Sequence, residues 1–177
     1  MSNYNVPENN SLKEEIEELL RLCEKAKEEY GENSSFFAQG IEEKEMTEWE
    51  EKNGIKIPES YKEWLRFSAL CKIRQTLATF NPPNEFHSEY VPEDFIVIGS
   101  MIGDGEVVCF SKVTGEFMEF FEGKINRRYD DFREVINEVL RMLGKPDNDL
   151  NEDEEIELML KKLSEIRRKR SRGENNK

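Results

Sequence analysis

Hydrophobic residues recur along this chain with two periods, and the switches between them divide it into elements. Leu12, Ile16, Leu19, Leu20 and Cys23 fall on one face of a helix running to Tyr30, with Ser11 and Glu14 spaced as a capping box and Gly31 as its stop. Ile41, Met46 and Trp49 anchor a second short helix among charged residues, ended by Asn53-Gly54, because glycine tolerates the left-handed conformation of a helix end. Ile55 and Ile57 alternate with Lys56. Pro58 then opens a third helix, whose buried face is Tyr61, Trp64 and Leu65. From residue 72 the period becomes two. Ile73, Gln75, Leu77 and Thr79 predict one strand over Lys72 to Phe80, which Asn81-Pro82-Pro83-Asn84 should break. Three more strands are expected at about residues 94–100, 106–111 and 116–121, with turns short enough to imply an antiparallel meander. Helical spacing returns at Phe132, Val135, Ile136, Val139, Leu140 and Leu143, capped by Asp130 or Asp131 and closed by Gly144 and Pro146.

These elements give an α+β fold: an antiparallel meander sheet with helices packed against it, plus extra N- and C-terminal helices. Trp49, Tyr61, Trp64, Leu65, Ile96, Ile98, Val108, Phe110, Phe117 and Phe132 are its expected core. The expected organisation is a disordered segment over residues 1–10, a helix and loop over 11–39, a core domain over 40–144, and an amphipathic helix with a basic tail over 145–177. That last helix carries Ile156, Met159, Leu160, Leu163 and Ile166 and runs into Arg167-Arg168-Lys169-Arg170.

The order of parts from residue 40 onward resembles the SUKH superfamily, which contains the yeast cell-wall-assembly regulators of the Smi/Knr type and many bacterial toxin-immunity proteins. That family shows a helix with a central Glu followed by Gly-Ile-x-Leu-Pro-x-x-Tyr-x-x-Phe-Leu. Here Glu50, Gly54-Ile55, Ile57-Pro58, Tyr61, Trp64 and Leu65 stand in those places. Phe95-Ile96-Val97-Ile98-Gly99, Gly103-Asp104-Gly105 and Thr114-Gly115-Glu116-Phe117 resemble its strand, glycine loop and hairpin. Phe67-Ser68-Ala69-Leu70-Cys71 replaces the family's usual Asn-Gly, so the turn after the third helix must be built differently. Glu42 takes the place of the customary Ser or Thr cap.

Charge narrows the choice of partner. The 177 residues carry a formal charge of −13, which repels phosphate and makes nucleic acid unsuitable as principal ligand. A basic protein fits instead. The tail of Arg and Lys could bind RNA or an acidic membrane, and pairing with acids upstream and the dipole of its own helix explain it equally well. No stretch approaches the ~20 apolar residues of a membrane span, and no signal peptide is visible, so the cytoplasm is the expected compartment.

Catalytic chemistry has little to work with. His87 is the single histidine, in a Pro- and Glu-rich connection. Nothing places a nucleophile on a strained elbow beside it. Cys23, Cys71 and Cys109 are odd in number and form no Cys-x-x-Cys pair, which argues against zinc and disulfides, and Cys109 lies within a strand as a packed thiol. Asp147-Asn148-Asp149-Leu150-Asn151 starts like a calcium loop but has Glu152 in place of the glycine and Leu158 in place of the bidentate Glu. Gly103-Asp104-Gly105 lacks the Gly-Lys-Ser/Thr of a phosphate loop. No catalytic, cofactor or metal residues are assigned.

What the resemblance implies is a non-enzymatic binding module, foremost an immunity protein that occludes the active site of a basic, nuclease-type toxin. A regulatory scaffold of the cell-wall-regulator type is the alternative, and a hydrolase using His87 a third. The expected partner surface is Glu85, Glu89, Glu93 and Asp94 in the long connection, with Asp104 and Glu106 beside the glycine turn. The two loops flank one strand at opposite ends. The flanking helices would cover sheet edges or build a homodimer.

Overall fold

A computed structural model describes residues 4–30, 35–74, 77–84, 91–102 and 106–144. All of these lie in one unit, Met1–Gly144. The expected C-terminal helix, its basic tail and the calcium-like loop fall outside the described residues.

Seven strands form one sheet: β1 (Ser35–Phe37), β2 (Cys71–Ile73), β3 (Ala78–Asn84), β4 (Phe95–Met101), β5 (Glu106–Ser111), β6 (Phe117–Phe121) and β7 (Lys124–Tyr129). Every strand pairs antiparallel with its neighbour in sequence, so the sheet is a meander in strict chain order. Among the described residues, four helices accompany it: α1 (Lys13–Tyr30), α2 (Glu43–Asn53), α3 (Glu59–Phe67) and α4 (Phe132–Leu143). The fold is α+β, as the alternation of periods predicts, and α1 packs against α4.

The main core lies between one sheet face and the helices. Ile96, Ile98, Val108, Phe110 and Phe117 supply its sheet side, and Ile16, Leu19, Tyr61, Trp64, Phe132 and Val139 its helix side. Trp64 sits at the centre of an aromatic group, its ring 5.4 Å from Phe67, 5.6 Å from Phe80 and 5.7 Å from Phe132. Such tilted and edge-on pairs add to the transfer free energy of large buried rings. A second, smaller cluster on the opposite sheet face holds Val91, Cys109, Met118 and Phe120.

Several expectations need correction. Trp49 is only half-buried, because the inward stripe of α2 is Met46 and Glu50 and Trp49 flanks it. The single strand expected over residues 72–80 is two, β2 and β3, paired Cys71↔Phe80 through Ile73↔Ala78. Arg74 turns out of β2 with φ 45°. Asn81 to Asn84 do not break β3. The register slips between Phe80↔Gly99 and Asn84↔Val97, so both prolines fall in a bulge where no ladder N–H is required of them. At the start of α1, Asn10 does the work assigned to Ser11: its Oδ1 accepts from Leu12 N–H at 2.8 Å and its Nδ2 donates to the Glu63 carbonyl at 2.7 Å. Within the segment read as disordered, the Tyr4 ring lies 5.3 Å from Phe37. Strands β1 and β7 were not foreseen.

Two joints singled out in the sequence are visible in detail. Gly54 ends α2 at φ 65°, in the left-handed region. Where Asn-Gly is replaced, Ser68 caps α3 with its N–H on the Trp64 carbonyl and its hydroxyl on the Leu70 carbonyl at 2.9 Å. Ala38 and Ala69 N–H groups then pair with Leu70 and Gln39 carbonyls across the same turn.

Candidate interaction surface

Glu93 and Asp94 are exposed in the turn before β4, where the Asp94 carbonyl accepts Lys112 N–H at 2.8 Å. Glu106 opens β5 at the far end of the same hairpin, opposite Met101. Seven residues of strand separate the two groups, about 20 Å at the usual rise. Asp94 and Glu106 are therefore not brought together. Glu85, Glu89 and Asp104 lie outside the described residues, as does His87.

Glu106 is less free than its loop position suggests. It is half-buried on the helix-facing side of the sheet, diagonal to Glu119, which is 1% exposed. Asn126 donates to both carboxylates, at 3.3 Å to Glu106, and Tyr129 donates its hydroxyl to Glu119 at 3.2 Å. Burial, with the neighbouring Glu119 charge, pushes the Glu106 carboxyl above its ordinary value, and nearby Arg127 offsets part of this. Beyond it, Glu138 of α4 binds Arg127 of β7 and Arg141 of its own helix. Hydrogen bonding from Arg141 leads in holding Glu138 down at about 2, with Arg127 adding to it against the opposing effect of burial. Sequence reading missed this network. Its one signal is a charged residue at Glu119, two places after Phe117, on the face the strand turns to the core.

The Glu that the family places in its second helix has a structural task. Glu50, 5% exposed, accepts Ile57 N–H at 2.8 Å and holds Lys56 and Lys62 at 3.0 Å each. It thereby ties the Gly54–Pro58 connection to α3. Burial pushes its carboxyl up, but the Lys56, Ile57 and Lys62 hydrogen bonds outweigh that and leave it below the usual value.

The family model of the SMI1 / KNR4 family (SUKH-1) matches residues 40–138. The chain belongs to this family. No curated protein matches it. The SUKH-1 match opens at Gly40 and ends on α4, so β1, α1 and the segment before it precede the matched region.

Around Gly40 the backbones approach closely: a Cβ there would stand 2.0 Å from the Arg66 carbonyl oxygen. Arg66 itself is held by Glu43 at 2.7 Å, Glu59 at 3.0 Å and Glu63 at 2.5 Å. A groove of about 590 Å³ opens beside it, lined by Tyr4, Asn5 and Pro7, the stretch from Phe37 to Glu43, Arg66 and Phe67.

Among the described residues, no three His, Cys, Asp or Glu side chains are grouped to hold a metal ion. Cys23, Cys71 and Cys109 are free and buried, and burial pushes the Cys109 thiol up to about 12, far from a thiolate nucleophile at neutral pH. Among the described residues no helix is long and apolar enough to cross a membrane.

Proposed function

We propose that this chain is an immunity protein that binds a basic, nuclease-type toxin domain and occludes its active cleft. The observation that carries the reading is membership over residues 40–138 in a family that includes polymorphic-toxin immunity proteins and is generally non-enzymatic. The charge of −13 supports it, because a toxin that grips phosphate presents a basic cleft, and opposite fields steer association. Glu85, Glu89, Glu93 and Asp94 form one arm of the proposed contact. Asp104 and Glu106 form the other, and because Asp94 and Glu106 lie about 20 Å apart by the strand rise, the proposed partner spans the β4–β5 hairpin from end to end.

Survival on co-expression with toxin domains encoded in the same genomic neighbourhood tests the class, and association kinetics across a salt series test the surface. Neutralising all six carboxylates should slow association about tenfold at low salt and flatten its salt dependence. Failure to neutralise any such toxin would sink the immunity reading. An unchanged on-rate in the six-residue variant would sink the surface alone.

A further inference from the structure

From the open edge of the sheet, we infer that β7 takes up an extended, acidic strand of a protein partner, which pairs with it main chain to main chain. This occupant has the opposite charge to the basic toxin proposed above, so the two readings stand or fall separately.

The backbone fixes the shape of the occupant. β7 is the last strand of the sheet and pairs only with β6. An edge strand turns alternate N–H and C=O groups away from its neighbour, and a further strand satisfies them in register. β7 is exposed from Lys124 to Arg128, which leaves that edge accessible.

The side chains fix the sign. Lys-Ile-Asn-Arg-Arg-Tyr holds three cations and no acid, on a chain whose formal charge is −13. Arg127 is bound by Glu138 of α4. Among the described residues, Lys124 and Arg128 have no such partner. A second copy of the chain is a poor occupant, because antiparallel pairing of two β7 strands sets like charges across from one another. A strand bearing Glu or Asp meets the same cations with attraction. The charges that guard this edge against its own kind thereby select a strand of opposite sign. Between them Ile125 is 41% exposed, across from Phe120 of the smaller apolar cluster. It offers the incoming strand an apolar contact, so a β-branched residue belongs among the acids. The other edge, β1, has three residues and no charge, and makes no such selection.

The test uses a fluorescent peptide alternating Glu and Val, a counterpart with Lys for Glu, and one with two central residues replaced by Pro, which cannot pair along a strand. Anisotropy titrations of the full chain should show saturable binding of the Glu/Val peptide, with both counterparts at least about tenfold weaker. Amide shifts and new exchange protection should fall on Lys124–Tyr129. Lys124→Glu with Arg128→Glu should reverse the preference, so that the Lys peptide binds at least about tenfold more tightly than the Glu peptide. Thermal melts confirm that this variant is folded. Should it not be, Arg128→Gln carries the test, weakening the Glu/Val peptide at least about threefold. No saturable binding, equal binding of the Lys or the Pro peptide, or a preference that survives charge reversal would each overturn the proposal. So would a dimer of the parent chain with exchange protection on β7, which would assign the edge to a second copy. A chain that neutralises no toxin but binds the Glu/Val peptide loses only the immunity reading, and the converse removes only the strand-binding edge.

Discussion

At the scale of single residues, buried carboxylates divide into two kinds with opposite responses to acid. Glu50 and Glu138 are held below the ordinary carboxylate value by their partners. Their stabilisation is therefore full above the unfolded value and is lost as pH falls through the native one. For Glu138 that window runs from about 4.5 down to about 2. Glu106 is raised, so its charged form works against folding, and its contribution fades as pH rises through its native value. Urea melts at several pH values should show Glu138→Gln losing stability at neutral pH but little at the acid end. Glu106→Gln should match or exceed the parent at neutral pH and lose that advantage in acid. Glu50→Ala leaves the Ile57 N–H without its acceptor and should cost about 2–4 kcal/mol in equilibrium denaturation. A cost below 1 kcal/mol would mean that Glu50 is not what fixes the Gly54–Pro58 connection. The family motif showed in the sequence that a Glu belongs at position 50. What it accepts was not legible, since Ile57, Lys56 and Lys62 converge only after α2 turns back into α3.

At the scale of elements, legibility followed burial on two sides. β4 to β6 stood out as short apolar runs buried at most of their positions, and α1 and α4 show apolar stripes because one face of each packs into the core. β7 escaped notice because Lys-Ile-Asn-Arg-Arg-Tyr is an edge strand exposed at every position but Tyr129. Its turn was readable: Glu122-Gly123, both at positive φ, is the two-residue hairpin connection. β3 was misread because a proline pair argues against a strand until a bulge receives it. Tyr61 accounts for that bulge's position, since its hydroxyl donates to the Asn81 carbonyl. Across from it, Gly99 lies where a Cβ would be 2.0 Å from the Thr79 carbonyl oxygen. Gly99→Ala should push β3 off β4 and cost more than about 2 kcal/mol, read from the denaturation midpoint at unchanged slope. Retention of parental stability would show that β3 yields at little cost.

At the scale of the whole molecule, the chain presents acid outside and three thiols inside. Cys23, Cys71 and Cys109 are each buried, and burial leads in raising every one of them. Native protein should leave all three unlabelled by a thiol reagent over minutes, with full labelling on denaturation. Rapid labelling of one thiol in the native state would identify a locally opening element. The net charge was plain in the sequence, and so was the family region. The placing of the two loops at opposite ends of one strand was plain as well, whereas the network that ties Glu106 to Asn126, Glu119 and Tyr129 was not, because it forms only when β5, β6 and β7 pair. The groove at Gly40 was equally hidden, as it needs Tyr4 to come back over Phe37.

Strict chain order in the sheet also bears on how the molecule assembles. Apart from β1, which reaches β2 only after α2 and α3, each strand pairs with the one that follows it across a shorter connection, so most of the sheet can zip hairpin by hairpin, the condition for rapid folding. The helical layer obeys a different rule. Arg133 of α4 binds Glu15 and the Ser11 carbonyl at the start of α1, a closure over more than a hundred residues. Contacts of that reach carry the larger loop-closure cost and are expected to form after the hairpins, so that losing them should speed unfolding more than it slows folding. The N-terminal helix is thus expected to be a latch on a lifetime, setting how long the folded chain persists, while the meander sets how soon it arises.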